Sequence, residues 1–145
     1  ENVSPEWSNL VQQTMGLLQQ ENELEEIVRL VGIDALSYKD RMTLEATRSI
    51  REDYLHQNAF HEVDTYTSPK KQYLMLKAIL LNYEKSLDAL AADASFNKLI
   101  QLPVRERIGR LKYVAEDAVQ AEYDSILADM NAQIGALTEG GQQDA

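Results

Sequence analysis

Between residues 73 and 90 apolar side chains return at Tyr73, Leu76, Leu80, Tyr83, Leu87 and Leu90, alternating steps of three and four. That period belongs to a helix and not to a strand. Leu74, Met75, Ile79 and Leu81 widen the stripe until the segment is apolar over most of its circumference. Such a helix is stable only when neighbours cover it on more than one side. The pattern therefore predicts a central helix over 70–92, begun by Ser68-Pro69, a hydroxyl N-cap followed by proline at the first helical position.

The neighbours can be read the same way. Ser4-Pro5-Glu6 opens a helix with apolar positions at Trp7, Leu10, Val11, Leu17, Leu18, Leu24, Ile27, Val28 and Val31, and Gly32 offers its stop. Ser37, with Asp40 three residues on, reads as the N-cap of a helix over 38–56 that carries Met42, Ala46, Ile50 and Tyr54. A polar, aromatic-rich connection, 57–67, follows. Residues 93–102 read as a connector with one short turn. Pro103 then starts a last helix through Ile108, Leu111, Val114, Tyr123, Met130 and Leu137; Gly140-Gly141 is its expected stop, and 138–145 a loose tail. Val63 to Thr67 alternates, but the run is short and has no partner to pair with. The expected fold is all-α, an antiparallel helical bundle of about four main helices forming a single domain over 1–145.

At 145 residues the chain buries roughly 70% of its unfolded surface, so it needs no covalent staple. With no Cys it can form neither a disulfide nor a thiolate zinc site. Fourteen Lys and Arg against 24 Asp and Glu leave a net charge of −10. Such a surface repels phosphate backbones and anionic lipid, which argues against nucleic-acid partners. No run of 18 apolar residues occurs, so no direct membrane insertion is expected. The opening at Glu1, without Met or leader, reads as a mature or excised fragment. Asn2-Val3-Ser4 reads as a chance sequon. Arg105, Arg107, Arg110 and Lys112 crowd one stretch, whereas 113–145 carries seven acids and no base. Unaided, this reads as a solvated helix face with some ion pairing.

Catalytic kits are missing. No Gly precedes Lys, which excludes a GxxxxGK[ST] phosphate loop. His61-Glu62 begins a zinc-protease pattern, but Thr65 stands where the second His is required, and His56 and His61 alone do not make a metal site. The carboxylate pairs Glu25-Glu26, Glu52-Asp53 and Glu116-Asp117 are adjacent, so on a helix they diverge. No catalytic and no metal-binding residue is assigned. The residues by themselves describe a helical domain that binds something, and an adaptor using helix 70–92 as a sticky face is one such reading.

Three stretches go further. Gln57 to Tyr66 (QNAFHEVDTY), followed by Ser68 to Tyr73 (SPKKQY), resembles the C-terminal region of the catalytic A subunit of A/V-type rotary ATPases. Leu102-Pro103-Val104-Arg105-Glu106 is similar to the same subunit. Leu30 to Arg41 is similar to the loop carrying the DELSEED motif in the beta subunit of F-type ATP synthases. The resemblance runs from about Glu21 to the end. It covers only the helical C-terminal domain; the nucleotide-binding P-loop domain of that larger catalytic subunit is not in this sequence.

The resemblance implies a bundle that hangs from the nucleotide-binding domain of its own subunit, in a hexameric ring with B subunits around central-stalk subunits. The complex is peripheral, on the cytoplasmic side of the cell membrane. Its parent subunit uses ATP or ADP with Mg; the isolated fragment is expected to hold no cofactor and to be inactive. Phe60, with Ala59 and Gln57 beside it, would form one wall of the adenine pocket, where ring stacking contributes on the order of 1–3 kcal/mol. The rotor contact would be Gly32, Asp34, Ala35, Leu36, Ser37 and Tyr38. That stretch is far less acidic than DELSEED, so apolar contact through Ala35, Leu36 and Tyr38 is expected in place of charge pairing. Wall and tip would lie at opposite ends of helix 38–56, roughly 28 Å long.

Overall fold

The computed structural model describes residues 5–55 and 68–144, with side chains through Glu139. Helix α1 is Pro5–Val31, followed by a 3-10 turn at Ile33–Ala35. Helix α2 is Tyr38–Ser49 and continues as a π-helical turn, Ile50–Leu55. Helix α3 is Pro69–Ala91, α4 is Phe96–Leu99 and α5 is Pro103–Gly109. Two further 3-10 turns, Leu111–Tyr113 and Glu116–Ala118, lead into α6, Val119–Asp144. Four of these helices have twelve residues or more, and no strand occurs among the described residues. The expected all-α bundle is what these residues form.

The caps explain the starts. Ser37 Oγ accepts from Asp40 N at 3.1 Å, and Ser68 Oγ accepts from Lys71 N at 3.0 Å. Ser95 does the same for α4, accepting from Lys98 N at 3.2 Å. Each satisfies a backbone donor that a helix's first turn leaves free.

Helix α3 lies at the centre. Leu76 and Leu80 are 1% exposed, and Ala78 is fully buried. Met42 and Ala46 of α2 and Ile50 of its π-helical turn cover one side of it, and Ile126, Met130 and Ile134 of α6 cover another. Helix α2 runs antiparallel to α3: Tyr38 and Lys39 flank Leu87 to Ala94, while Thr43 meets Tyr83 through a 2.7 Å hydroxyl contact. Burial of each large apolar side chain stabilises the bundle by roughly 1.5–3 kcal/mol. Tyr73, Leu76, Leu80 and Tyr83 are all in this core or packed against it. Helix α3 therefore presents no sticky face, which removes the basis of the adaptor reading.

Helix α1 joins through polar contacts as well. Lys77 pairs with Glu6 at 2.7 Å and donates to Tyr73 Oη at 3.1 Å, and Gln13 donates to Glu84 at 2.8 Å. The bond to Lys77 holds the Glu6 carboxyl below its usual range. Glu21, 5% exposed, takes a two-pronged contact from Arg51 at 2.7 and 3.0 Å, tying α1 to the π-helical turn.

Three elements depart from the sequence pattern. The α2 ladder changes to a wider turn at Ile50, which keeps Ile50 fully buried and Tyr54 against the core. The single helix expected from Pro103 to Leu137 is interrupted between Gly109 and Val119. Continuing it would use the carbonyls of residues 112 and 114 internally; instead Lys71 Nζ donates to both, at 2.9 and 2.7 Å. Helix α6, finally, runs through Gly140-Gly141 to Asp144 and does not stop at the glycines. A glycine in a helix costs only about 1 kcal/mol against alanine, too little to force an end.

Candidate functional site

At one end of α2 the chain makes a stiff tip. Val28 carbonyl accepts from Gly32 N at 2.8 Å, closing α1. Gly32 has φ +97° and ψ 161°, a conformation open essentially to glycine alone. The turn Ile33–Ala35 then redirects the backbone, and Ser37 caps α2. Arg41 braces this turn from within α2, donating Nε to the Leu36 carbonyl at 3.3 Å and pairing with Asp34 at 3.4 Å. Its guanidinium also lies 5.2 Å from the Tyr38 ring, which stacks on Phe96 of the α3–α4 side at 5.2 Å.

The tip's outer surface is apolar. Leu30, Val31, Ile33 and Tyr38 are 71%, 69%, 43% and 55% exposed. Asp34, Ala35 and Ser37 are also exposed, and Gly32 is half-buried. Leu36, expected on the contact surface, is only 5% exposed and turns into the bundle. Ile33, Leu30 and Val31 stand outward in its place. The periodicity places Val31 on the apolar stripe of α1, and the structure turns it to the surface.

The other end of α2 holds the stems of segment 56–67. Phe60, Ala59 and Gln57, expected at the adenine wall, lie outside the described residues, as do His56, His61 and the alternating run 63–67. Both stems are well defined. On the leading stem, Lys112 Nζ donates to the Glu52 carbonyl at 3.0 Å and lies 3.8 Å from Asp53. On the trailing stem, Ser68 donates from N and Oγ to Glu116 at 3.2 and 2.6 Å, and Lys71, wholly buried, takes the two carbonyls of residues 112 and 114. Burial pushes the Asp53 carboxyl up, against the pull of Lys112. A Cβ on Gly109 would stand 3.1 Å from that carboxylate, so glycine is what lets α5 approach it. Arg105, buried beside Glu45 at 2.9 Å, has its basicity lowered by that burial.

Of the crowded bases, Arg107 bridges α5 to α6, pairing with Glu122 at 2.7 Å and Asp129 at 2.5 Å. This is the ion-paired surface the charge pattern suggested. Among the described residues no cluster of His, Asp or Glu could hold a metal ion, and no helix is long and apolar enough to cross a membrane.

Fold and site together define a helical-bundle domain built to hold a rigid tip at one end and two fixed loop stems at the other. Residues 1–100 match the family described as the C-terminal domain of V and A type ATP synthase, and the chain belongs to that family. It is 61% identical over 137 residues to a V-type ATP synthase alpha chain of Acetivibrio thermocellus, covering 94% of this chain and 23% of that one. The corresponding protein of Thermoanaerobacter pseudethanolicus is 52% identical over 144 residues, 99% of this chain and 24% of its own. That of Clostridioides difficile is 52% identical over 136 residues, 94% and 23%. The chain thus spans about a quarter of the length of the curated relatives it matches. The likeness takes in residues 1–20 as well, beyond the stretch from Glu21 that the sequence motifs suggested.

Proposed function

We propose that this chain is the force-transmitting part of the catalytic subunit of a rotary ATPase, coupling ATP synthesis or hydrolysis to stalk rotation and to transport of protons or sodium. In this reading a nucleotide-binding domain of the same subunit holds ATP or ADP with Mg, and B subunits complete the ring. Phe60, with Ala59 and Gln57, lines the adenine pocket. Gly32 to Tyr38 meets the central stalk, through Ile33, Ala35 and Tyr38 and the neighbouring Leu30 and Val31. The assembly is peripheral, at the cytoplasmic face of the cell membrane.

One observation carries the reading: the braced tip and the stems of segment 56–67 stand at opposite ends of α2 and its π-helical turn. Eighteen residues separate them, about 25 Å. A bundle whose centre is close-packed resists internal deformation, so a small rotation at the stems becomes a larger displacement at the tip. The apolar tip suits sliding contact with a partner better than a charge-paired one, because apolar attraction is non-directional.

The test uses the assembled complex in membranes. Ile33→Asp with Leu30→Asp places charge on the exposed tip without disturbing the core. Expected is ATP hydrolysis that persists while ions transported per ATP fall several-fold. Unchanged coupling would remove the tip from the mechanism.

A further inference from the structure

We propose that the junction of α2, α3 and α5 is a binding site for one structural water, which joins Asn82 of α3 to Arg105 of α5 and acts as a polar linchpin of the bundle.

Asn82 sits on the central helix and is 7% exposed. Its Oδ1 is buried, and no donor reaches it among the described residues. A buried amide oxygen left in that condition costs the folded chain free energy, and native proteins nearly always supply it with a partner. The surroundings show what that partner is. Asn82 lines a small cavity with Ser49 of α2, Arg105 of α5 and the apolar side chains of Met42, Ile79 and Ile108. The cavity measures about 10 Å³, the room of one water molecule.

Arg105 has donors to spare. Its side chain is 16% exposed, and burial lowers its basicity. A guanidinium carries several N–H donors, and among the described residues Arg105 hydrogen-bonds through Nη2 to Glu45 alone. Ser49, at the end of α2, adds a hydroxyl that can donate or accept. Tyr83, the other hydroxyl at the cavity, is already engaged with Thr43 at 2.7 Å.

These groups select the occupant. It must donate to Oδ1 and accept from a guanidinium within a very small space, and water does both. An anion would be repelled by the amide oxygen, and a metal cation by Arg105. An apolar guest would leave both polar groups unpaired. The place in the fold gives the water its role. Arg105 is tied to α2 through Glu45 at 2.9 Å. The bridge carries that tie on to α3, so the three helices are linked at one point.

Oxygen-17 relaxation dispersion on solutions of the chain counts the waters that turn with the protein. Asn82→Leu, similar in size but with no acceptor, is expected to lower that count by one molecule against the parent. Asn82→Asp, which keeps an oxygen in place of Oδ1, is expected to leave it unchanged. Water-selective NOE spectra of the parent are expected to show the same molecule against the methyl groups of Ile79 and Ile108, with the sign of a water held for the tumbling time of the protein. That measurement needs no variant, so it decides the matter even if Asn82→Leu does not fold. Missing cross-peaks in the parent overturn the proposal, and so does a count that Asn82→Leu leaves unchanged. Crystals grown in bromide are expected to show no anomalous signal in the cavity; a peak there would make it an anion site and overturn the water.

Discussion

Single residues set conditions that neighbours cannot relax. Gly32 occupies φ +97° with open space around its Cα, so a side chain there meets no clash and only the backbone objects. Gly32→Ala is expected to destabilise the chain by about 1–3 kcal/mol, read from urea unfolding. Gly16 also has open space but lies inside α1. Gly16→Ala is expected to act in the opposite sense, by about 0.5–1 kcal/mol, through helix propensity. Asp53 supplies a pH signature. Burial raises its carboxyl above the ordinary value of 3.8, so the folded chain binds this proton more tightly than the unfolded chain does. The resulting stabilisation is complete below the unfolded value and is lost as pH rises through the folded one. Asn carries no such proton. Asp53→Asn is therefore expected to gain on the parent as pH rises from about 4 towards neutral, in unfolding measured across that range. A gain that grows towards acid would reverse the assignment.

Elements show which parts of the fold a sequence can carry. Ser37, Ser68, Pro69 and Pro103 each act within one turn of helix, and each start they imply is where the structure puts it. The central place of α3 follows from apolar residues on nearly every side, a property written in 70–92 itself. The interruption between α5 and α6 is different. Gly109 ends α5, but one glycine in a helical pattern is a weak stop, and the contacts that hold the interruption come from Lys71, about forty residues away and in sequence half of an ordinary surface pair, Lys70-Lys71. The tip was legible in outline through Gly32 and Ser37. Which apolar residues face outward was not, since Leu36 and Ile33 are alike in hydrophobicity and only the turn between them decides. Lys71→Met tests the long-range cause. It leaves two part-buried carbonyls without their donor, and a loss of about 2–4 kcal/mol is expected. Amide protection should fall in 111–118 before it falls in α3, because short 3-10 turns hold that stretch in place of a continuous helix.

At the scale of the whole molecule the question is whether the bundle behaves as one body. Met42, Ile50, Leu76, Leu80, Ile126 and Met130, drawn from α2, its π-helical turn, α3 and α6, are all at most 1% exposed. Helices locked through such a core have little room to slide, and small strains at one end are either rejected or carried by the whole unit. Two perturbations at opposite ends then have a defined relation. Gly32→Ala acts at the tip and Lys112→Met at the far end of α2 and its π-helical turn, which together are about 25 Å long. Their effects on unfolding free energy are expected to add to within about 0.5 kcal/mol. They should also stay local: Gly32→Ala speeds amide exchange in the tip, Lys112→Met speeds it in 50–55, and the double variant shows each change at the size it has alone. A bundle that bent internally would behave otherwise, because softening the tip would alter the contacts at the far end of α2 and its π-helical turn. A double variant whose exchange in 50–55 departs several-fold from that of Lys112→Met would show the helices to be a spring, and a displacement imposed at one end could not reach the other undiminished.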